Sequence, residues 1–231
     1  MIKGFKGILF DFNGTLFFDS EFHIEAFRRI FPELGAPAPT REEVIERILG
    51  RSNAMIYREN IKADASDAET VRFAHDKEAI YYDLCLANKD RFKLAEGAEE
   101  LLDYLKVEGI PFTIATGSDR ESVDFFFEHL GLARWFDIEK IVYTDGSFRG
   151  KPNPDCYLLA AEKIGLRAED CLIFEDGRAG ILAADAAEAA CIVAIYEEGL
   201  PSPLCEETRV DLVIHSFKAW REILSHYEKV R

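Results

Sequence analysis

The apolar start of the chain runs straight into a carboxylate, Asp11, and the later run "CLIF" ends the same way, at Glu175-Asp176. A short apolar run that stops at an acid reads as a buried strand that delivers the acid to its carboxyl end. From Leu94 onward such runs alternate with helical segments. Ala98, Leu101, Leu102 and Leu105 mark one helical face, which Gly109 is placed to stop. "IPFTIAT" reads as a strand ending at Thr116. Ser118-Asp119-Arg120-Glu121 reads as a capping box for a helix carrying Val123, Phe126, Phe127 and Leu130. "IEKIVYT" is expected to be the third strand. Pro154 fits the first turn of a helix with Tyr157, Leu158, Ala161 and Ile164 on one face. "RAGILAADAAEAA" is a helix, "CIVAI" and "DLVI" are strands, and Phe217, Trp220, Ile223, Leu224 and Tyr227 lie on a final helix. This alternation predicts an α/β fold with a parallel sheet covered on both faces.

Residues 19 to 91 differ in texture. Phe22, Ala26, Phe27 and Ile30 face one way, and Pro32 is expected to end their helix. Thr40-Arg41-Glu42-Glu43 is a capping box followed by Val44, Ile45, Ile48 and Leu49, with Gly50 as a stop. Ser66-Asp67-Ala68-Glu69 is another, opening a long helix towards Ala87. The expected organisation is therefore an all-helical insert, 19–91, in a core domain of 1–18 and 92–231.

Composition excludes several classes. Of 231 residues, 48% are hydrophobic and 31% charged, which argues against disorder. No apolar run approaches the length of a bilayer span, and the start of the chain lacks a small-residue cleavage pattern. The formal net charge of −15 repels phosphate backbones and anionic membranes, so neither nucleic acid nor membrane is an expected partner. Five cysteines without a CxxC pair fit reduced thiols in a cytoplasm. The Asn-Gly-Thr at 13–15 is then neither a glycosylated sequon nor a two-residue hairpin turn, but part of the loop leaving the first strand.

In an open parallel sheet the ligand site lies beyond the carboxyl ends of the strands. Asp11, Thr116, Lys151, Glu175 and Asp176, remote in sequence, can converge there. Three carboxylates need neutralising, and hard oxygen ligands in that number favour Mg²⁺, which also binds substrate phosphate. Thr116, with the amides of Gly117 and Ser118, suits phosphate oxygens. Lys151 can neutralise charge that develops during transfer. Asp11 can attack phosphorus as a carboxylate nucleophile.

Asp11-Phe12-Asn13-Gly14-Thr15-Leu16, Thr116-Gly117-Ser118, Gly150-Lys151-Pro152-x-Pro154-Asp155 and Phe174-Glu175-Asp176-Gly177-x-x-Gly180-Ile181-x-Ala183-Ala184 resemble, in order and spacing, the four motifs of the haloacid dehalogenase superfamily. The insert resembles that superfamily's α-helical cap. "DSE" at 19–21 with His23, and "LGRS" at 49–52, resemble its β-phosphoglucomutase-like branch. The resemblance implies a modified Rossmann core, a cap, and a small phosphorylated substrate hydrolysed through an aspartyl-phosphate. It implies metal ligation by Asp11, the Asn13 backbone carbonyl, Glu175 and Asp176. From the cap, His23, Arg51 and Asn53 are the candidate substrate contacts. A monomer is expected.

One residue departs from the pattern. Position 13 usually holds an aspartate that protonates the leaving group and then activates water. An amide keeps the carbonyl but exchanges no proton near neutral pH. Two readings remain open: a Mg²⁺-dependent phosphohydrolase slowed at Asn13, or a non-catalytic protein that binds a phosphorylated ligand. A phosphonatase using a cap lysine (Lys62 or Lys77) and a sugar-phosphate mutase are weaker. Asn13-Gly14 is also a potential deamidation site.

Overall fold

The structure, a computed structural model, describes residues 4–204 and 208–228; Cys205 lies outside them. The chain forms two compact units, Met1–Phe18 with Leu94–Arg231 and, separately, Asp19–Lys93.

The first unit is an α/β fold. Its strands are β1 (Gly7–Phe10), β2 (Phe112–Ile114), β3 (Cys171–Glu175), β4 (Cys191–Ile195) and β5 (Leu212–Ile214). All pair in parallel, in the order β2-β1-β3-β4-β5. β1, β3 and β4 are buried at every residue, as expected of strands covered on both faces. Side chains alternate across the pleat. Leu9 and Ile173 join a cluster with Tyr157, Ala160, Ala161, Ile181, Ala183 and Ala184. Phe10 and Phe174 point to the other face, where their rings stack 5.2 Å apart and meet Phe217. Helices are numbered along the whole chain; this unit holds α5 (Ala98–Glu108) and, beside the site, α6 (Arg120–His129), α7 (Asp155–Lys163) and α8 (Arg178–Ala186).

Three expectations for this unit need correcting. The segment "IEKIVYT" is not a strand. Asp137 caps a 3₁₀ turn over Ile138–Lys140, its side chain accepting from the Glu139 N–H, and only Val142 then bridges to Ala115. Asp119, not Ser118, caps α6, accepting from Ser122 N at 2.9 Å. The last helix is short, Trp220–Leu224 after a 3₁₀ turn, and Tyr227 instead bridges to Phe5.

The second unit, read alone, is helical: α1 (Ser20–Glu33), α2 (Arg41–Arg47), α3 (Asn53–Asn60) and α4 (Asp67–Ala87). Pro32 does not end the first helix, which runs one residue further. Both capping boxes form, at Thr40 with Glu43 and at Ser66 with Glu69. Ile24, Phe27, Ile30, Phe31, Val44, Ile48, Ile56 and Phe73 make the unit's own core. Among the described residues no helix is long and apolar enough to cross a membrane.

Candidate active site

The sheet order places β1 beside β3, and the chain leaves these two strands in opposite directions across the sheet. This is the switch point at which open α/β sheets form a crevice. Phe10 lies level with Phe174, and Asp11 N–H donates to Phe174 O at 3.0 Å. Asp11 and Glu175 therefore emerge side by side. Carboxylate oxygens of Asp11, Glu175 and Asp176 lie within 4.8 Å of one another.

Lys151 Nζ donates to Asp11 Oδ1 and to Glu175 Oε1, each at 2.5 Å. The three side chains are only 12%, 9% and 3% exposed. Burial disfavours the ammonium, but the Asp11 and Glu175 charges outweigh it and hold Lys151 well above the usual lysine range. Glu175 is fixed at both oxygens. Oε1 also accepts from the Tyr157 hydroxyl at 2.8 Å, and Oε2 accepts from Gly177 N–H at 2.9 Å. A Cβ on Gly180 would fall 1.6 Å from Glu175 Oε1, and one on Gly14, where φ is +76°, would fall 2.0 Å from Asp176 Oδ2. Both glycines leave the space that a carboxylate fills.

Tyr157 escaped the sequence reading, which assigned it only to the apolar face of α7. Its ring lies 4.9 Å from Lys151 Nζ, and its hydroxyl, fully buried, is pushed up in pKa by burial first and by Glu175 second. The identity of a Tyr among Leu and Ala positions was the available signal, because a buried hydroxyl needs a partner.

On the other side of β1, Thr116 follows β2, with its N–H on Val142 O at 2.9 Å. Ser118 N–H donates to Thr116 Oγ1 at 3.1 Å, while Gly117 is exposed. The Ser118 hydroxyl donates to Asn13 Oδ1 at 2.8 Å. Asn13 sits in a tight loop: Phe12 O accepts from both Thr15 and Phe17 N–H, and Gly14 N–H donates to Phe17 O at 2.7 Å. Residues 11, 13, 116, 118, 151, 175 and 176 thus all lie at the carboxyl end of the sheet.

Residues 5–188 match the family description "Hydrolase: haloacid dehalogenase-like hydrolase". Hexitol phosphatase A of Escherichia coli is 32% identical over 92% of this chain and 92% of its own. The chain belongs to the haloacid dehalogenase-like hydrolases. Within this superfamily it is a phosphatase-like hydrolase. A phosphorylated carbohydrates phosphatase of Thermotoga maritima is 28% identical over 83% of this chain and 84% of its own. A solved hydrolase of family IA, variant 3, from Entamoeba histolytica superposes with a TM-score of 0.86 at 34% identity, covering 96% of this chain and 98% of the other. The β-phosphoglucomutase of Clostridium difficile shares the fold, with a TM-score of 0.72 at 22% identity over 96% of each chain.

The remaining candidates of this hydrolase lie in its helical unit. His23 Nε2 is 3.1 Å from Asp19 Oδ2, and its Nδ1 is 2.7 Å from Lys77 Nζ. An ammonium only donates, so Nδ1 accepts and Nε2 carries the hydrogen towards Asp19. Tyr81 stacks on the imidazole at 4.3 Å and donates to Asp19 Oδ2 at 2.7 Å. Asn53 Nδ2 is 3.4 Å from Glu78 Oε1, and Glu78 also pairs with Lys77 at 2.9 Å. Arg51 donates to Glu59 at 2.7 Å and to the Arg47 carbonyl at 3.1 Å. Lys62 is engaged by Glu69 at the surface.

The acidic donor set fits the divalent cation that its family implies. Three carboxylates converge with one lysine, bonded to Asp11 and Glu175, to balance them; every donor is a hard oxygen, and Gly14 and Gly180 leave room for the carboxylates themselves.

Proposed function

We propose that this hydrolase is a Mg²⁺-dependent phosphatase of a small phosphorylated metabolite, of carbohydrate type, acting in the cytoplasm as a monomer through an aspartyl-phosphate on Asp11. The observation that carries the reading is the convergence of Asp11, Glu175 and Asp176 within 4.8 Å, with Lys151 on two of them. The sugar-phosphate specificities named for hexitol phosphatase A and the phosphorylated carbohydrates phosphatase support the substrate class. Four buried free cysteines, Cys85, Cys156, Cys171 and Cys191, support a reducing compartment.

In this reading Asp11, the Asn13 carbonyl, Glu175 and Asp176 hold Mg²⁺, which supplies positive charge to the phosphoryl oxygens when bound. Asp11 attacks phosphorus. Lys151, kept charged by its carboxylate neighbours, neutralises the developing negative charge. Thr116, Gly117 and Ser118 receive the phosphoryl oxygens. Glu175, locked by Tyr157 and Gly177, keeps Lys151 in place. His23, Arg51 and Asn53 select the substrate. Phosphate release from an aryl phosphate tests the reading: it is expected to vanish with EDTA, return with Mg²⁺, and fall by at least about 10³-fold in Asp11→Asn. Activity unaffected by both treatments would defeat it.

A second reading is favoured by Asn13 itself. A protein that binds a phosphorylated ligand without turning it over would keep the pocket and dispense with the acid. It predicts ligand-dependent thermal stabilisation and no phosphate release.

A further inference from the structure

A phosphoryl group leaves as easily as its former oxygen tolerates negative charge. A general acid removes that constraint by protonating the oxygen as the bond breaks, a contribution of about 10²–10⁴ in rate. Among the described residues of the core unit, the side chains near Asp11 that carry protons are engaged or too weakly acidic to give one up: the Thr116 hydroxyl, which accepts from Ser118 N–H, is an alcohol no more acidic than an alkyl leaving group. Lys151 donates to Asp11 and Glu175, the Tyr157 hydroxyl to Glu175, and the Ser118 hydroxyl to Asn13 Oδ1. The described histidines of this unit, His129, His215 and His226, are exposed. At position 13 stands an amide whose oxygen is held by Ser118. Its nitrogen offers hydrogens to share but none to transfer.

Resting on the phosphatase reading and narrowing its substrate class, we infer that the site is matched to phosphoryl donors with an acidic leaving oxygen: acyl phosphates first, then enol and aryl phosphates, and, within the carbohydrate class, anomeric phosphates ahead of the primary alkyl esters. The balance of the step requires this. As an Asp11 oxygen bonds to phosphorus, the bond from phosphorus to the leaving oxygen breaks and that oxygen departs with the electron pair as an anion. A carboxylate leaving group, whose acid has a pKa of about 4, or a phenolate, at about 10, bears that charge without help. An alkoxide, whose parent alcohol is nearly as weak an acid as water, does not. Water then adds to phosphorus, and the bond from Asp11 to phosphorus breaks with its electron pair returning to the carboxylate. One proton of the water stays on the phosphate, and the other goes to solvent, balancing the departed anion. The same missing base slows this second step, so a good donor leaves the aspartyl-phosphate accumulating on Asp11.

The test compares acetyl phosphate, phenyl phosphate and a primary alkyl phosphate, with wild type and Asn13→Asp. For wild type, kcat/KM is expected to fall by about 10²–10⁴ from acetyl phosphate to the alkyl ester. Asn13→Asp is expected to recover most of that loss on the alkyl ester and to change acetyl phosphate by only a few fold. Acid-quenched wild type turning over acetyl phosphate should carry one phosphoryl group on the Asp11 peptide by mass spectrometry, and Asn13→Asp should carry far less. Peptide mapping of residue 13 in the same sample excludes a contribution from deamidated chains. Equal wild-type rates on the acetyl and alkyl donors would overturn the inference, since some other group would then be protonating the leaving oxygen. Loss of turnover on every donor in both variants would instead remove the phosphatase reading, and this inference with it. If Asn13→Asp does not fold, the wild-type rate series and the phosphoaspartyl measurement still decide.

Discussion

The core and the helical unit each bury a lysine among acids above a tyrosine ring. In the core, Lys151 lies between Asp11 and Glu175, and Tyr157 donates to Glu175. In the helical unit, Lys77, only 3% exposed, lies between His23 and Glu78, and Tyr81 donates to Asp19. The parts are alike and the charge balance is not. Lys77 faces Glu78 and Asp19 with an imidazole placed between, and its ammonium also sits 5.1 Å from the rings of Phe27 and Tyr81. Lys151 pairs with two carboxylates, Asp11 and Glu175, and Asp176 brings a third within 4.8 Å of both. The construction also differs. The helical cluster comes from two helices, whereas the core cluster gathers Asp11, Glu175 and Asp176 from the carboxyl ends of two strands, Lys151 from a loop and Tyr157 from α7. Excess negative charge at a strand-end crevice is what separates a cation site from a buried network that is already satisfied.

Lysine replacements should separate the two most clearly. Lys151→Met is expected to lower kcat by about 10²–10³. Lys77→Met is expected to lower stability by about 1–3 kcal/mol, because it leaves His23 Nδ1 and the half-buried Glu78 carboxylate without their donor, with the larger effect in urea melts, not in kcat. Equal effects on kcat would break the contrast. The pH dependence comes next. Burial opposes the Lys151 charge, but Asp11 and Glu175 raise its folded pKa above the unfolded value of about 10.4. Its contribution to stability is therefore complete below that value and is lost only as pH rises through the higher folded pKa. Urea melts from pH 7 to 11 should show the difference between wild type and Lys151→Met constant up to about pH 10; a decline beginning near pH 8 would contradict this.

The tyrosines give a smaller effect. Tyr157→Phe keeps the ring and removes the hydroxyl from Glu175; kcat should fall several-fold with KM nearly unchanged. Tyr81→Phe should move KM or stability more than kcat, and the reverse pattern would invert the assignment of roles. Smallest is Thr40→Ala, which removes one capping box from the helical unit. It should cost about 1 kcal/mol and leave kcat untouched.

Much of this was legible in the chain. Apolar runs that end in acids located β1 and β3, and their pairing brought Asp11 and Glu175 together. The two capping boxes at Thr40 and Ser66 formed because Glu stands three residues on in each case. At Ser118 the same pattern misled, since Asp119 competes for the cap and leaves the Ser118 hydroxyl for Asn13. The apolar pair in "IEKIVYT" resembled a strand, but the Asp137 cap winds its first half into a turn. Tyr157 and the pairing of His23 with Lys77 were hidden for a common reason. Apolar periodicity identifies which face is buried, but not which polar atom on that face finds a partner in a remote segment.

The two glycines beside the carboxylates carry a consequence for inheritance. Gly14 and Gly180 lie 166 positions apart, and each opposes one acid across a gap with no room for a methyl group. Every amino acid other than glycine brings a Cβ, so every missense change at either codon displaces Asp176 or Glu175. In a saturation library these two codons should tolerate as little as the acids themselves, although neither encodes a group that can touch a substrate through a side chain.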